Sequence, residues 1–368
     1  MRINYYARLA TEHSRGIQGK IVSTVDAINK ITAQNIIAKE KVFFEKSAFK
    51  GAILLLKEMI QDKPDIIFLR SNKHFMLLYL PFLMYLRFVR GCKIVIDIPT
   101  PLVNLVQENL VSSNSKLIRI LKAYSLYMVF PLSLLVANRV LEYGGYHSES
   151  RWFRMFLKKK ITATFNAADV HSIEKVPCIK SYDGSLTIIG VAFLAPWHGF
   201  ERLIESIALH NHNSEKKVFF DIVGEGRAKD ELVELTNKLE LNDYVRFRGV
   251  LTGDSLSEAF QSAHVALCSL GLYKIGLDKC SILKAREYCA RGLPFIISGN
   301  DPMIDNSLPF VFEVQNNEST FELSPVVDWF EGIENSSVTS DYIRSYALEN
   351  LDITAKVRND LNGFLEFN

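Results

Sequence analysis

One carboxylate, Glu287, lies in the stretch SILKAREYCARGLPFIIS, residues 281–298, which reads as a helix handing over directly to a buried strand. Ile282, Ala285 and Cys289 recur at the three-to-four-residue spacing of a helix that buries one face. Arg291-Gly292 stops it, and Pro294 opens the apolar run Phe295-Ile296-Ile297. A helix of this kind on an open parallel sheet points its N-terminal amides at a crevice, where the dipole and unpaired N–H groups favour phosphate. A carboxylate one to two turns along accepts sugar hydroxyls. Donors for a diphosphate beside an acceptor for hydroxyls are what a nucleotide-sugar requires. The plainer reading of a single glutamate is a solvated helix residue, so the elements around it decide.

Two further sets of residues sit where chemistry is expected. Asp97 and Thr100 end the run CKIVIDIPTP, and ligands of open α/β sheets collect at the carboxyl ends of strands; an Asp before a proline turn is the alternative. Gly16 and Gly19 fall between a strand over Arg2–Ala7 and a helix from about Lys20 to Ile31, where a loop of residues 13–19 could bring backbone close to a ligand. Their spacing is not GxGxxG, so a plain turn explains them equally well.

The elements that must position these residues alternate between strand and helix. Strands are expected at Lys41–Phe44, Asp65–Leu69, Lys93–Ile96 and Ile161–Phe165, with a helix over Gly51–Gln61 and an apolar helix over His74–Arg90 broken near Pro81. After a polar linker, residues 174–184, the pattern restarts. Strands at Leu186–Val191, Val218–Val223, Val245–Phe247 and His264–Cys268 alternate with helices at Phe200–Leu209, Ala228–Leu239 and Asp254–Ala263, and helices fill the tail beyond Ser324. His210 and His212 read as a solvated loop after the first of these helices. The organisation is α/β with two domains, residues 1–173 and 185–335, and C-terminal helices over 336–368 that are expected to pack back on the first domain.

Length suits two such cores: 368 residues exceed one ordinary domain. A formal net charge of +2 gives no global field for nucleic acid. The five cysteines are odd in number and form no CxxC pair, which fits reduced core residues. No run of about 18 apolar residues spans a membrane, and no apolar leader opens the chain, so a cytoplasmic location is expected. The basic, apolar stretch at residues 115–140 is either a core helix with snorkelling lysines or a segment lying on an anionic membrane surface; with Phe75–Phe88 it motivates an expected peripheral contact with the inner membrane.

The succession IIGVAFLAPWHGFERLIES, FDIVGEGRAKDEL, VRFRGVL and SILKAREYCARGLPFI resembles the nucleotide-sugar-binding domain of retaining GT-B glycosyltransferases, of the group that builds bacterial capsular, O-antigen and exopolysaccharide units. More loosely, GIQGKI, DIPTP and FNAADVHSI resemble that family's first glycine loop, a strand end facing the pyrophosphate, and its NGxD turn. The resemblance implies two Rossmann-like doubly wound domains facing across a cleft. It implies a nucleotide-diphosphate sugar donor, a polyprenyl-linked glycan or saccharide acceptor, and no cofactor. Carried over by position, Glu287 binds ribose or neighbouring hydroxyls. Lys284 and the backbone amides near Cys280 to Leu283, Ser281 and Ile282 among them, hold the diphosphate and the transferred sugar. Gly224 and Gly226 let the backbone approach the base, and His198-Gly199 stands where relatives have a phosphate-binding Lys-Gly. Asp97, Thr100 and the loop Arg15–Gly19 are the candidates on the first domain's side, and His13 and His198 fall at the implied cleft.

Three departures accompany it: Lys279 replaces an expected glutamate, Val191-Ala192-Phe193 lacks an expected arginine, and NGxD has become Asn166-Ala167-Ala168-Asp169. Lys279, Lys284, Lys274 and Arg202 are the cations left to supply the charge. No Asp-x-Asp pair occurs, which argues against the metal-dependent GT-A pattern, and a metal-independent reaction is expected. A catalytically silent nucleotide- or partner-binding module is the alternative that the departures motivate; a hydrolysing sugar-nucleotide epimerase of the same fold fits less well.

Overall fold

The computed structural model describes residues 1–9, 15–32, 35–70, 76–98, 117, 120, 134–143, 155 and 159–365. The chain divides into two compact units, Met1–Phe165 with Ile353–Asn368, and Asn166–Asp352.

In the first unit, strands β1 (Arg2–Leu9), β2 (Ile37–Phe44), β3 (Ile66–Arg70), β4 (Lys93–Ile98), β5 (Arg139–Tyr143) and β6 (Ile161–Thr164) form one sheet, ordered β2-β1-β3-β4-β5-β6. Every neighbouring pair is parallel. Near-continuous apolar runs such as Ile66–Leu69 and Ile94–Ile96 are buried on both faces, as parallel strands between helices must be. Helix α1 (Arg15–Ile31) begins five residues earlier than the periodicity predicts, so residues 15–19 are helix and not loop. Helix α2 (Ala48–Asp62) starts at Ser47, whose hydroxyl accepts from the Lys50 N–H at 3.3 Å, and stops at Lys63 in the left-handed region. The expected break at Pro81 is absent. Helix α3 (Met76–Met84) runs through the proline and widens afterwards into a π turn, Tyr85–Val89, a local adjustment that re-pairs backbone groups. Of residues 115–140, the structure describes Leu117, Ile120 and residues 134–140; the rest of that stretch lies outside the described residues.

The second unit carries β7 (Ser185–Val191), β8 (Lys217–Val223), β9 (Val245–Gly249), β10 (Val265–Leu267), β11 (Phe295–Ser298) and β12 (Val311–Val314), all parallel, ordered β12-β11-β10-β7-β8-β9. Helices α4 (Phe200–Asn213), α5 (Lys229–Lys238), α6 (Gly253–Gln261), α7 (Leu283–Arg291), α8 (Ser324–Glu334) and α9 (Ser340–Asn350) join or cover them. The strand order reverses between β7 and β10, which makes the carboxyl ends of those two strands the switch point where a doubly wound sheet opens a crevice. Helix α4 is a turn longer than expected because Asn211 bridges to the next strand, donating to the Val218 carbonyl and accepting from its N–H at 2.9 Å each. His210 is therefore a buried helix residue whose Nε2 meets the Lys216 carbonyl at 2.8 Å, and not part of a solvated loop.

Residues 166–173 and the 174–184 stretch lie in the second unit. Arg344 on α9 ties them down, donating to the carbonyls of Val170 at 2.7 Å and Ile173 at 2.9 Å. The last helix, α10 (Ile353–Leu361), belongs to the first unit, packed on α1 and β6. Arg139 Nη1 donates to the Asp360 carbonyl at 2.8 Å, the guanidinium carbon lies 4.4 Å from the Phe364 ring centroid, and Asn359 donates to the Ala163 carbonyl at 2.9 Å. A chain ending at Asp352 therefore loses one covering helix of the first unit. Hydrogen exchange should show α1 and β6 amides losing protection while β7–β12 keep theirs; unchanged protection in β6 would contradict this packing.

Candidate functional site

The N-terminal turn of α7 is fixed by a buried ion pair that the sequence reading did not single out. Arg286 and Asp301 are wholly buried and meet in a two-pronged arrangement, Nη2 to Oδ1 at 2.7 Å and Nη1 to Oδ2. The same guanidinium donates from Nε to the Asn166 carbonyl at 2.8 Å and from Nη1 to the Ile282 carbonyl at 3.0 Å. Asp301 Oδ2 in turn accepts the Ile282 N–H at 2.7 Å. Ile282, the N-cap, has no side-chain cap of its own, and Asp301 supplies from 19 residues away the carboxylate that a capping box takes from within the helix.

This wiring changes which groups can face an anion. The Cys280 N–H is taken by the Asn300 carbonyl at 2.9 Å, the Ile282 N–H by Asp301, and the Ser281 hydroxyl by the Asn166 N–H at 2.8 Å. Cys280 and Ile282 are therefore not phosphate donors as expected, and Ser281 serves as an anchor. The N–H groups of Leu283, Lys284 and Ala285 form the first helical turn, which has no intrahelical acceptors. Leu283 itself is half exposed, and Lys279 stands in the exposed approach to the helix, its backbone bridged to Asn300.

At the switch point, the loop after β7 and the loop after β10 are pinned together by the Leu270 N–H donating to the His198 carbonyl at 2.7 Å. His198 Nδ1 lies 2.8 Å from Ser269 Oγ and 2.9 Å from Lys284 Nζ. Burial, then the Lys284 charge, pushes the His198 pKa down to about 3, so the imidazole is neutral and its Nδ1 accepts. Burial also pushes Lys284 down to about 8, with the Phe200 ring 5.4 Å below its ammonium. Lys284 makes no ion pair among the described residues. The result is one cation, held by a neutral histidine, beside a helix N-terminal turn.

The other proposed cations are committed elsewhere. Arg202 is buried and donates to the carbonyls of Leu270, Ser319 and Gln315 at 2.6, 2.8 and 3.0 Å; Lys274 pairs with Glu201. Glu287 accepts from Arg291 Nε and Nη2 at 3.0 and 2.9 Å. Both bonds end on Oε1, and with the side chain about one-third exposed (34%), Oε2 stays available to a hydroxyl.

The glycines have structural reasons to be glycine. Gly224 (φ 130°) and Gly226 (φ 156°) cross the 192–194 backbone so closely that a Cβ would lie 1.8 Å from the Ala192 oxygen and 2.3 Å from the Leu194 oxygen. Their smallness makes room for the protein's own chain. Gly199 (φ 65°) likewise meets Leu270 and Gly271 backbone. Gly19 shows the opposite: it lies in α1, and a Cβ there meets nothing within 4 Å. Gly16 is in the first turn of the same helix, so the expected glycine loop is corrected to a helix start.

Asp97 lies within β4, almost wholly buried, and not beyond its end. Oδ2 accepts from Tyr5 and, at 3.2 Å, from Arg70. Burial by itself raises this carboxyl, but Arg70, Lys20 and Lys356 outweigh it and hold the pKa below the usual range. His13 and Thr100 lie outside the described residues.

Removing one partner of the Arg286–Asp301 pair strands a buried charge, so Arg286→Met or Asp301→Ala should cost about 3–5 kcal/mol in urea denaturation. Glu287→Ala, which breaks a partly exposed pair on the same helix, should cost about 1 kcal/mol or less.

Residues 174–305 match the family model of glycosyl transferases group 1. No curated protein matches the chain. Among solved structures, the lipopolysaccharide outer core galactosyltransferase WaaB is 13% identical with a TM-score of 0.61, the match covering 99% of this chain and 100% of that one. A glycosyltransferase from Rickettsia africae ESF-5 is 13% identical with a TM-score of 0.62, covering 98% and 96%. AviGT4, a glycosyltransferase involved in avilamycin A biosynthesis, is 12% identical with a TM-score of 0.57, covering 99% and 98%. Two six-stranded parallel sheets, a pinned switch point and these matches together make residues 174–305 a glycosyl transferases group 1 domain in a chain of GT-B glycosyltransferase fold.

Proposed function

We propose that the protein is a retaining, metal-independent glycosyltransferase that moves a sugar from a nucleotide-diphosphate donor to a lipid-linked or oligosaccharide acceptor in bacterial surface polysaccharide synthesis. The observation that carries this reading is Lys284: an ammonium with no carboxylate partner among the described residues, fixed by neutral His198 at the switch point beside the first turn of α7. A leaving nucleoside diphosphate gathers negative charge in the transition state, and a desolvated cation with helix amides stabilises it there. In this reading Lys284 and the amides of Leu283 and Lys284 hold the diphosphate, and Glu287 Oε2 accepts hydroxyls from the ribose or its neighbour. His198 keeps Lys284 in place. The acceptor hydroxyl attacks from the side the nucleotide leaves, and the departing phosphate oxygen takes its proton. The WaaB match supports the surface-polysaccharide setting, and a lipid-linked acceptor would call for contact with the inner membrane. The silent-module alternative is favoured by Lys279 and by Phe193, exposed where an arginine is expected; slow hydrolysis of one member of a nucleotide-sugar panel separates the two, since a silent module binds without turnover.

Protonation of Lys284 gives a sign. Below about pH 8 the ammonium is charged and attracts phosphate; above it the charge is lost. Affinity for the nucleoside diphosphate that raises the melting temperature most should hold level between pH 7 and 8, then weaken by up to about tenfold per pH unit. In Lys284→Ala, calorimetry should give weaker binding with no such bend. Glu287→Ala should reduce affinity without lowering the melting temperature materially; wild-type affinity in that variant would remove Glu287 from the site.

A further inference from the structure

The second unit holds a charged cluster that the Lys284 site does not use. In KVFFDIV and VRFRG, strands β8 and β9, the side chains of Phe220, Ile222, Val245 and Phe247 pack into one core of the sheet. Asp221, Arg246 and Arg248 alternate with them and so lie on the other face, where Val223 joins Ala259 of α6 in a second core. Asp221 is 2% exposed on an inner strand of a parallel sheet, a place an apolar side chain ordinarily takes.

Asp221 Oδ1 accepts from Arg246 Nε at 2.6 Å, and Oδ2 accepts from Arg248 Nη1 at 2.9 Å. One buried carboxylate thus aligns two guanidinium groups that are 49% and 40% exposed. The Phe219 ring lies 5.8 Å from the Arg246 guanidinium carbon. Arg246 keeps both Nη groups, and Arg248 keeps Nε and Nη2, without an acceptor among the described residues. Inward-pointing charge guards an edge strand against pairing, which accounts for arginines on β9. It does not account for a carboxylate buried on β8, since apolar replacements of buried ion pairs are often neutral or stabilising. What the carboxylate supplies is orientation of the two arginines.

Both arginines line an open cavity of about 390 Å³, together with Lys180, Thr187 and Glu258. Neither Lys180 nor Glu258 forms an ion pair among the described residues. Lys180 and Thr187 stand at the amino end of β7, whereas His198 and Ser269 follow the carboxyl ends of β7 and β10, so the cavity is separate from the Lys284 turn. Two guanidinium groups held side by side, with an ammonium on the same wall, suit a tetrahedral dianion: the N–H forks take its oxygens in pairs and the ammonium adds charge. Glu258, on the α6 wall, is an acceptor for a hydroxyl on a molecule that carries the phosphate.

We propose that Lys180, Arg246 and Arg248 form a second anion site, for a phosphate dianion that is free or esterified to a small hydroxylated molecule. It takes nothing from the transferase reading, and neither stands or falls with the other.

The test is calorimetric titration of the full chain, in phosphate-free buffer of low ionic strength, with inorganic phosphate, glucose 6-phosphate and glucose. Wild type should bind at least one of the two phosphates saturably, and glucose at least tenfold more weakly. Tighter inorganic phosphate makes the free ion the ligand and tighter glucose 6-phosphate makes it the monoester; either supports the site. Lys180→Glu, which removes no hydrogen bond of Asp221, should weaken phosphate binding at least tenfold at the wild-type melting temperature. Arg246→Gln/Arg248→Gln should abolish it. That variant leaves Asp221 without a counter-charge, so if it melts early, Arg248→Lys replaces it, keeping the charge, losing the fork and weakening binding at least threefold. Lys284→Ala should still bind one phosphate per chain. No saturable phosphate binding, glucose bound as tightly as glucose 6-phosphate, binding that survives both Lys180→Glu and the arginine changes, or binding that vanishes in Lys284→Ala would each overturn the proposal.

Discussion

Everything at the site depends on one ion pair that cannot be taken apart singly. Arg286 and Asp301 are both removed from water, and each would be a costly isolated charge without the other. Their hydrogen bonds reach the Ile282 N–H, the Ile282 carbonyl and the Asn166 carbonyl, so the pair fixes where α7 starts and how the 166–169 turn lies against it. Lys284 leaves the helix two residues before Arg286, on the turn this pair positions. A buried pair of this kind adds little net stability compared with a well-packed apolar substitute. Its effect is geometric: it sets one register for a helix whose N-cap residue, an isoleucine, cannot cap.

The same logic explains how a lysine keeps its place without a counter-ion. An ion pair with a carboxylate would hold Lys284 firmly and also neutralise it. A neutral imidazole supplies a lone pair at 2.9 Å and no charge, and the Phe200 ring supplies an electron-rich face. His198 can play this part because burial and Lys284 itself keep its pKa near 3, so the pair never carries two positive charges at neutral pH. Ser269 Oγ, 2.8 Å from the same Nδ1, helps to fix the ring.

Much of this fold could be read from the chain because parallel strands are buried on both faces and leave short apolar runs bounded by glycine, proline and charge, as in KIVIDI and FIIS. Glu287 was legible as a site candidate from its place on a helix that hands over to a buried strand, whereas Lys284 and His198 were marked out through the family resemblance of the motifs that hold them. Arg286 was not legible, because an arginine in a helical pattern reads as a solvated cation; Arg202 was read as a free site cation because the 315–319 carbonyls it donates to lie far along the chain. For Gly224 and Gly226, sequence shows that a side chain is missing, and only the crossing of the 192–194 backbone shows what occupies the space. The start of α1 was missed because two glycines in its first turns outweigh the weak amphipathic signal of residues 15–19.

The charge on Asp97 carries a consequence for chemistry on the first unit. A carboxylate is a good general base when its pKa lies near the working pH. Asp97 is pushed the other way: Arg70, Lys20 and Lys356 hold it ionised below the ordinary carboxylate range, and its Oδ2 is already engaged by Tyr5 and Arg70. A proton taken from an acceptor hydroxyl would therefore find Asp97 a weak resting place. Its nearest cations fare differently. Lys20, desolvated to a pKa of about 7, sits 4.2 Å from the Tyr143 ring, and Lys356 pairs with Asp360. Asp97 thus works as an electrostatic anchor joining β1, β3 and β4 to the residues of α1 and α10 around it. In the transfer proposed above, the proton has a better destination in the phosphate oxygen that departs with the nucleotide, whose basicity rises as the sugar leaves it.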